Sequence, residues 1–175
     1  MKLLVLSDTH LMCPLPRELL DFAGKADIVV HAGDFNTLEA YESLKKGSKR
    51  LIAVHGNSDT PALRDLLPES EKFEVEGLRF GVVHSGKHTS DLTNMRYLAL
   101  EMGVDVLIFG HIHRPIIDQT DVLLVCPGSP THPRMSDPSI VELTVEGGRI
   151  SGKIEKVSSG DVCGYLTFAR SINGC

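Results

Sequence analysis

The sequence predicts an α/β protein in which a mixed sheet, or two sheets packed face to face, is covered by helices on the outside. Two observations lead to this fold class. Short apolar runs rich in β-branched residues alternate with segments of helical periodicity through the first two thirds of the chain, as is typical of sheets covered on both faces. Two further segments alternate in hydropathy around glycine, as β-hairpins do.

The apolar runs predict strands at residues 3–6, 28–30, 51–54 and 104–109. The apolar spacing between them predicts helices at residues 16–24, 38–46, 61–67 and 90–102. In the first helix, Pro16 is expected at the first helical position and Gly24 at the end. This alternation of strands and helices favours βαβ units with right-handed crossovers.

The two predicted hairpins cover residues 73–83, around Gly77, and residues 139–157, around Gly147 and Gly148. After them, residues 158–175 show no clear period except a short helical pattern at 165–170. We therefore expect a single domain over residues 1–157, followed by a C-terminal tail over 158–175 that stays unassigned.

Composition restricts the classes of partner and the cellular location. The chain has 175 residues, 42% of them hydrophobic, and a formal net charge of −5, which disfavours binding to long nucleic acid or to an anionic membrane. No stretch approaches the roughly 20 apolar residues of a membrane span. The four cysteines are scattered singly, which favours the reducing cytoplasm. We expect a small-molecule substrate, and a homo-oligomer is compatible with the sequence.

Polar residues follow five of the predicted strands at the point where each strand ends. Open α/β sheets bind ligands beyond the carboxyl ends of their strands, so these side chains should converge. The steps between them are 24, 23, 27 and 27 residues, each about one strand-plus-helix unit. The residues are Asp8 and His10, Asp34, Asn57, His84, and the pair His111 and His113.

These seven side chains are potential metal ligands. A tetrahedral zinc ion needs three or four ligands, whereas two ions about 3.5–4 Å apart that share a carboxylate need about this many. Oxygen and imidazole donors without thiolate favour two divalent transition-metal ions, with manganese as first choice and iron, zinc or nickel as alternatives. His111 and His113 flank Ile112, and we expect both imidazoles on one face of an extended strand end.

The ordered motifs resemble those of the calcineurin-like metallophosphoesterase superfamily over residues 1 to about 130. The chain length and the Cys-Pro-Gly-Ser run at 126–129 are most similar to the small single-domain phosphodiesterases of that superfamily, which are relatives of the retromer scaffold subunit. The resemblance implies a sandwich of two mixed β-sheets flanked by α-helices, with a dinuclear metal site at its edge.

The resemblance also assigns roles to residues. Asp34 would bridge the two ions, and a metal-bridging hydroxide would attack phosphorus in line. Asp34, Asn57 and His84 would be the catalytic group, with Asn57 steadying the phosphoryl group. His132 and Arg134 are candidate substrate-binding residues. The first ion would be held by Asp8, His10, Asp34 and His113, and the second by Asp34, Asn57, His84 and His111.

One departure from the superfamily concerns the leaving group. Many of its phosphatases continue Gly-Asn with His-Glu, whose histidine helps protonate the departing oxygen, whereas this chain has Ser58 and Asp59. We therefore expect a phosphodiesterase that lacks this histidine acid and acts on small, nucleotide-like phosphodiesters.

Two alternatives accompany this interpretation. A non-catalytic scaffold could retain the fold as a docking surface, although a scaffold has no need of a complete ligand set. At the level of single residues, Asp8 and Asp34 could be helix N-caps. We expect His31 to be a core residue or a contact of the ligands, and Cys126 to be a small hydrophobic residue rather than a nucleophile.

Overall fold

The computed structural model describes residues 1–84 and 91–158. Its elements follow one another as β1 (Lys2–Leu6), α1 (Arg17–Lys25), β2 (Ile28–Ala32), α2 (Leu38–Gly47), β3 (Leu51–Val54), α3 (Pro61–Leu66), β4 (Ser70–Val75), β5 (Leu78–Val83), α4 (Leu92–Met102), β6 (Val106–Ile108), β7 (Pro115–Gln119), β8 (Leu123–Pro127), β9 (Ser139–Glu146) and β10 (Arg149–Lys156).

The strands form two five-stranded sheets, in the orders β10-β9-β1-β2-β3 and β4-β5-β6-β8-β7. Each sheet is mixed: β1, β2 and β3 are parallel, as are β5, β6 and β8, while β9 and β10 in the first sheet and β4 and β7 in the second pair antiparallel. The predicted sandwich of two mixed sheets with flanking helices is confirmed.

Strand β1 shows why the sequence folds into layers. Its side chains alternate between the two faces of the sheet, and all four of its apolar residues are buried. Leu3 and Val5 belong to the core between the sheets, whereas Leu4 and Leu6 belong to the core under the helices α1 and α2. A third core lies under α4 on the second sheet. The continuous apolar runs in the sequence therefore reflect burial on both faces.

Both predicted hairpins are present. The β4–β5 turn has Glu76 and Gly77 at φ of 48° and 83°, and the β9–β10 turn has Gly147 and Gly148 at 55° and 74°. Two consecutive positive φ angles match the twist of the flanking strands, which explains why glycine marks each turn.

The sequence prediction is wrong at two places in the secondary structure. Helix α1 begins at Arg17, with Pro16 at the N-cap, and passes through Gly24 to Lys25. Its end is fixed by buried Ala26, where the chain turns into β2. The β7–β8 hairpin was not predicted, because β7 lies half-exposed at a sheet edge and its sequence does not alternate in hydropathy.

No helix within residues 1–84 and 91–158 is long and apolar enough to cross a membrane. The helical pattern predicted at 165–170 lies outside the described residues.

Candidate metal centre

All seven predicted ligands lie at the strand ends on one edge of the sandwich. The first sheet contributes residues that follow β1, β2 and β3, and the second contributes residues that follow β5 and β6. Their ligand atoms contact one another in two groups, which we call the first and second sites.

The first site consists of Asp8, His10 and His113. The Nε2 atom of His113 lies 3.2 Å from Asp8 Oδ1 and 3.1 Å from the Nε2 atom of His10. The rings of His10 and His113 stack with centroids 4.9 Å apart. Asp8 and His113 are buried, while His10 is half-buried.

The second site consists of Asp34, Asn57, His84 and His111. Asn57 Oδ1 lies 3.0 Å from His84 Nε2 and 2.9 Å from His111 Nδ1. Asp34 Oδ2 lies 3.3 Å from His84 Nε2. Asn57 and His111 are exposed, so this site opens to solvent.

Asp34 and Asp8 both lie between the two sites. Asp34 Oδ2 is 3.6 Å from His10 Nε2 and 3.3 Å from His84 Nε2, so one oxygen faces an imidazole of each site. Asp8 lies within 4.8 Å of ligand atoms in both sites. We regard Asp34 as the bridging candidate, because only its oxygen directly faces imidazoles on both sides.

The remaining carboxylate oxygens are held by the protein. Asp34 Oδ1 accepts the Ser58 backbone N–H at 2.7 Å. Asp8 Oδ2 accepts the Ser7 hydroxyl at 2.6 Å and the His111 N–H at 2.9 Å. One oxygen of each aspartate is thereby fixed, and the other is directed into the centre.

Hydrogen bonds set the tautomers of three histidines. His84 Nδ1 lies 2.7 Å from Ala32 O, and His113 Nδ1 lies 2.5 Å from His132 O. A carbonyl oxygen only accepts, so both Nδ1 atoms carry the proton, as does His10 Nδ1 against Asn36 Oδ1 at 3.0 Å. In the neutral form of each ring, the Nε2 atom is then left as an acceptor directed into the centre.

The donor set fits divalent cations. In the neutral tautomers, the Nε2 lone pairs of His10 and His113 face each other across 3.1 Å with no proton between them. In the second site, His84 Nε2 faces oxygen acceptors of Asp34 and Asn57. Each arrangement needs a proton or a cation to compensate the facing lone pairs, and imidazole with carboxylate is a donor set that transition metals prefer.

The pKa values follow from these contacts. Burial lowers the pKa of His84, but its hydrogen bond to Asp34 and the Asp34 charge outweigh burial, so the net pKa lies above the ordinary value. The pKa of His113 is raised likewise, by Asp8 against burial. Burial raises the pKa of Asp34, but the hydrogen bond and charge of His84, together with the Ser58 N–H and the charge of His10, outweigh burial, so that the net pKa is strongly lowered. Asp34 is therefore ionised at neutral pH.

The expected extended geometry of the His111–His113 pair is wrong. Strand β6 ends at Ile108, and His111 and His113 have φ of 74° and 55°. The two imidazoles face different sites, His113 facing Asp8 and His111 facing Asn57. The turn separates the rings, which an extended chain would have kept on one face.

Two residues that sequence reasoning missed support the ligand loops. Asp59 is 3% exposed. Its carboxylate accepts the backbone N–H groups of Gly56 at 2.7 Å, Asp34 at 3.1 Å and Asn36 at 2.8 Å. Asn36 holds the His10 ring. Only the position of Asp59 directly after the Gly-Asn motif could have drawn attention to it.

The candidate substrate-binding residues lie on the loop between β8 and β9. The half-buried His132 ring meets the edge of the His10 ring, with centroids 5.5 Å apart. The exposed Arg134 donates its backbone N–H to His113 O at 3.1 Å. Both residues therefore border the first site.

Three other polar residues of interest have structural contacts. His31 is fully buried and stacks on Phe35, and its Nε2 atom lies 3.2 Å from Thr9 Oγ1. Burial lowers the pKa of His31 to about 3. Burial raises the pKa of Cys126 well above its ordinary value, which excludes a thiolate nucleophile at neutral pH. Ser129 Oγ donates to Asp8 O and accepts the His132 N–H, which is a turn-stabilising arrangement.

Comparison with known families identifies the fold. The sequence-family model of the calcineurin-like phosphoesterase superfamily domain matches residues 1–148. The chain belongs to this superfamily.

Curated relatives agree with this assignment. A probable metallophosphoesterase of Methanothermobacter thermautotrophicus is 35% identical over 95% of this chain and 98% of its own length. A probable metallophosphoesterase of Methanocaldococcus jannaschii is 42% identical over 81% of this chain and 74% of its own length. A phosphodiesterase of the same organism is 31% identical over 73% of this chain and 83% of its own length. The calcineurin-like family and these relatives support a metal-dependent hydrolase.

Among solved structures, Vps29 of Entamoeba histolytica in complex with zinc superposes with a TM-score of 0.75. It is 22% identical and covers 91% of this chain and 100% of its own. At this identity the similarity establishes the calcineurin-like fold alone.

Proposed function

We propose that the chain is a dinuclear metal-dependent phosphodiesterase that hydrolyses small, nucleotide-like phosphodiesters. The observation that carries this proposal is the convergence of imidazole Nε2 nitrogens and carboxylate oxygens at two adjacent sites, with Asp34 between them. Family membership supports phosphoester hydrolysis, and the phosphodiesterase relative supports diesters as the substrate class.

Bound divalent ions would lower the pKa of water and neutralise charge on the phosphoryl oxygens. Asp34 is held in place for both sites by the Ser58 N–H. The exposed side-chain amide of Asn57 can donate to a phosphoryl oxygen, while His84 is oriented by Ala32 O. His132 and Arg134 border the first site and are placed to contact the substrate.

The charge of the substrate favours diesters over monoesters, and Ser58 favours leaving groups that need no proton. A monoester dianion brings an additional negative charge to a site whose candidate cation, Arg134, is exposed. Ser58 occupies the position at which many phosphatases of the superfamily have a histidine acid, and its hydroxyl accepts the Asn57 amide at 3.2 Å. Serine is too weak an acid to protonate a leaving group at neutral pH, and proton transfer typically contributes about 10² to 10⁴ in rate. Aryl leaving groups should therefore react faster than alkyl ones.

The test combines elemental analysis of the manganese-loaded protein with hydrolysis of bis-p-nitrophenyl phosphate and p-nitrophenyl phosphate. We expect about two ions per chain, a faster reaction of the diester, and loss of both ion content and turnover in Asp34→Asn. Asp65→Asn, which changes an exposed carboxylate on α3, is the matched control and should retain both. At most one ion per chain, or full activity in Asp34→Asn, contradicts the proposal.

The scaffold alternative gives a different result in the same assay. A docking protein with this fold would show no turnover of either ester at any metal concentration. The choice of manganese over iron, zinc or nickel and the cytoplasmic location stay predictions.

A further inference from the structure

A small polar cleft lies beside the second site. Its volume is about 180 Å³, which is smaller than pockets that hold a whole drug-sized ligand, about 300–1,000 Å³. It can therefore take only one part of a substrate. The lining residues are His55, Gly56, Asn57, Arg64, Glu69 and His84, and two of them, Asn57 and His84, belong to the second site.

Hydrogen bonds to backbone carbonyls and strand pairing hold the walls of this cleft. The His55 N–H at the end of β3 donates to Pro68 O at 3.0 Å, next to Glu69. Ser70 then pairs with Val83 in the β4–β5 ladder. From α3, the Arg64 guanidinium donates to the carbonyl of Asn57. These contacts place one cation and one anion on the cleft that adjoins the second site.

The charges in the cleft limit what can bind there. Within residues 1–84 and 91–158, no ion pair joins Arg64 to Glu69, and no hydrogen bond to the Glu69 carboxylate is present. A second phosphate would be repelled by Glu69, and an amine by Arg64. A hydroxyl group can both donate to Glu69 and accept from Arg64. Among the described residues no large apolar side chain lines the cleft, so an acyl chain would make no apolar contact with them.

We propose that this cleft binds an uncharged, hydroxylated alcohol moiety of the substrate, a vicinal diol of the kind present in ribose and in glycerol. The moiety that carries this diol is esterified, through a different oxygen, to the phosphate that reacts at the metal centre. Its hydroxyls donate to Glu69 and accept from Arg64. This inference rests on the proposed phosphodiesterase function and adds a substrate class to it.

The test uses two pairs of p-nitrophenyl phosphodiesters that share one leaving group. The first pair carries adenosine or 2′-deoxyadenosine on its 5′ oxygen, and the second carries glycerol or propanol. We expect about a tenfold higher kcat/KM for the diol member of at least one pair, which corresponds to the low end of the range for a hydrogen bond to a charged group. The pair that shows the preference identifies the source of the diol.

The variant Glu69→Ala should reduce this ratio to about one, and Glu69→Gln, which keeps an acceptor oxygen, should give an intermediate ratio. Because each ratio compares two substrates on one protein, general changes in activity cancel. Glu74→Ala, an exposed glutamate on the same strand as Ser70 and outside the cleft, is the matched control and should keep the wild-type ratio.

Turnover without a preference in either pair, or a preference that Glu69→Ala leaves unchanged, overturns this inference and leaves the proposed function intact. Failure to hydrolyse any of the diesters, including bis-p-nitrophenyl phosphate, contradicts the proposed function, and the inference is then wrong with it.

Discussion

Three imidazoles of the candidate centre are oriented by two kinds of acceptor. His84 and His113 donate Nδ1–H to main-chain carbonyls, whereas His10 donates to the side chain of Asn36. Such partners fix the tautomer and the ring orientation of a ligand histidine, and their loss typically costs about 10- to 100-fold in metal affinity. Only the His10 partner can be removed by substitution.

We expect Asn36→Ala to weaken manganese binding by about 10- to 100-fold, measured by isothermal titration calorimetry. Without an acceptor at Nδ1, the His10 tautomer that carries its proton on Nε2 gains population and cannot bind the ion. Asn36→Asp, which retains an acceptor oxygen, should restore most of the affinity.

The backbone of Asn36 provides the control for this prediction, because its φ of 78° is unfavourable for alanine. Asn36→Gly removes the acceptor without that strain. Equal losses of affinity in the glycine and alanine variants indicate the hydrogen bond as the cause. A loss in alanine alone would indicate backbone strain and contradict the tautomer argument.

At the scale of elements, the three loops after β1, β2 and β6 have the same backbone pattern. In each loop, the first and third residues of a tripeptide have a left-handed conformation: Asp8 and His10, Asp34 and Asn36, His111 and His113. This conformation costs a residue with a Cβ atom about 1–2 kcal/mol. Five of these six residues are predicted ligands, so conformational strain is concentrated where the chemistry is expected.

This strain can be measured in the metal-free protein. His111 is exposed and has a φ of 74°, so His111→Gly should be more stable than His111→Ala by about 1 kcal/mol in urea unfolding with chelator present. At Ser58, where φ is not positive, the order should reverse, with Ser58→Gly less stable than Ser58→Ala by about 0.4–1 kcal/mol. The same order at both positions would argue against strain at His111.

The sequence predicted the elements and the location of the candidate centre because both depend on local patterns. Apolar runs with a polar residue after each, such as Asp8 after β1 and His84 after β5, indicate which strand ends meet at one edge. The roles of Asp59 and Asn36 could not be predicted, because except for the Gly56 N–H their partners are backbone N–H groups and a ring 23 to 26 residues away. The burial of Asp59 could be predicted only if the contact between the loops after β2 and β3 were already known.

At the scale of the whole molecule, the candidate centre joins the two sheets. The first sheet supplies Asp8, His10, Asp34 and Asn57, and the second supplies His84, His111 and His113. Ions held by both groups would connect the sheets at the edge of the sandwich. A ligand that binds only the folded state raises the free energy of unfolding, roughly in proportion to the logarithm of the ratio of ligand concentration to Kd.

Manganese at about 100 times its Kd should stabilise the fold by about 2.7 kcal/mol, which is a rise in Tm of roughly 5–10 °C for a domain of this size. This rise in Tm should shrink as the pH falls through the raised pKa values of His84 and His113, because ligand imidazoles must be neutral.

In the metal-free protein, His84 and His113 change the stability of the fold with pH in the opposite direction. Their contribution to stability is present below the unfolded pKa of about 6.5 and is lost as the pH rises through the folded pKa.

Differential scanning fluorimetry at pH 5.5, 7 and 8.5, with manganese or with EDTA, measures both effects. The separation between the two melting curves should be largest at pH 8.5. A separation that does not change with pH would contradict imidazole ligation. Asp65→Asn, which changes an exposed carboxylate on α3, is the control and should behave as the wild type does.

The Asp59 carboxylate accepts backbone N–H groups from the loops after β2 and β3. These hydrogen bonds join the two loops without a metal ion. We therefore expect the loops that carry Asp34 and Asn57 to keep their positions when no ion is bound. An ion can then leave and another can enter without unfolding and refolding of the chain. We therefore expect the metal content of the protein to be set by exchange with the surrounding metal pool, so that a change in metal supply alters protein already made as well as newly synthesised protein.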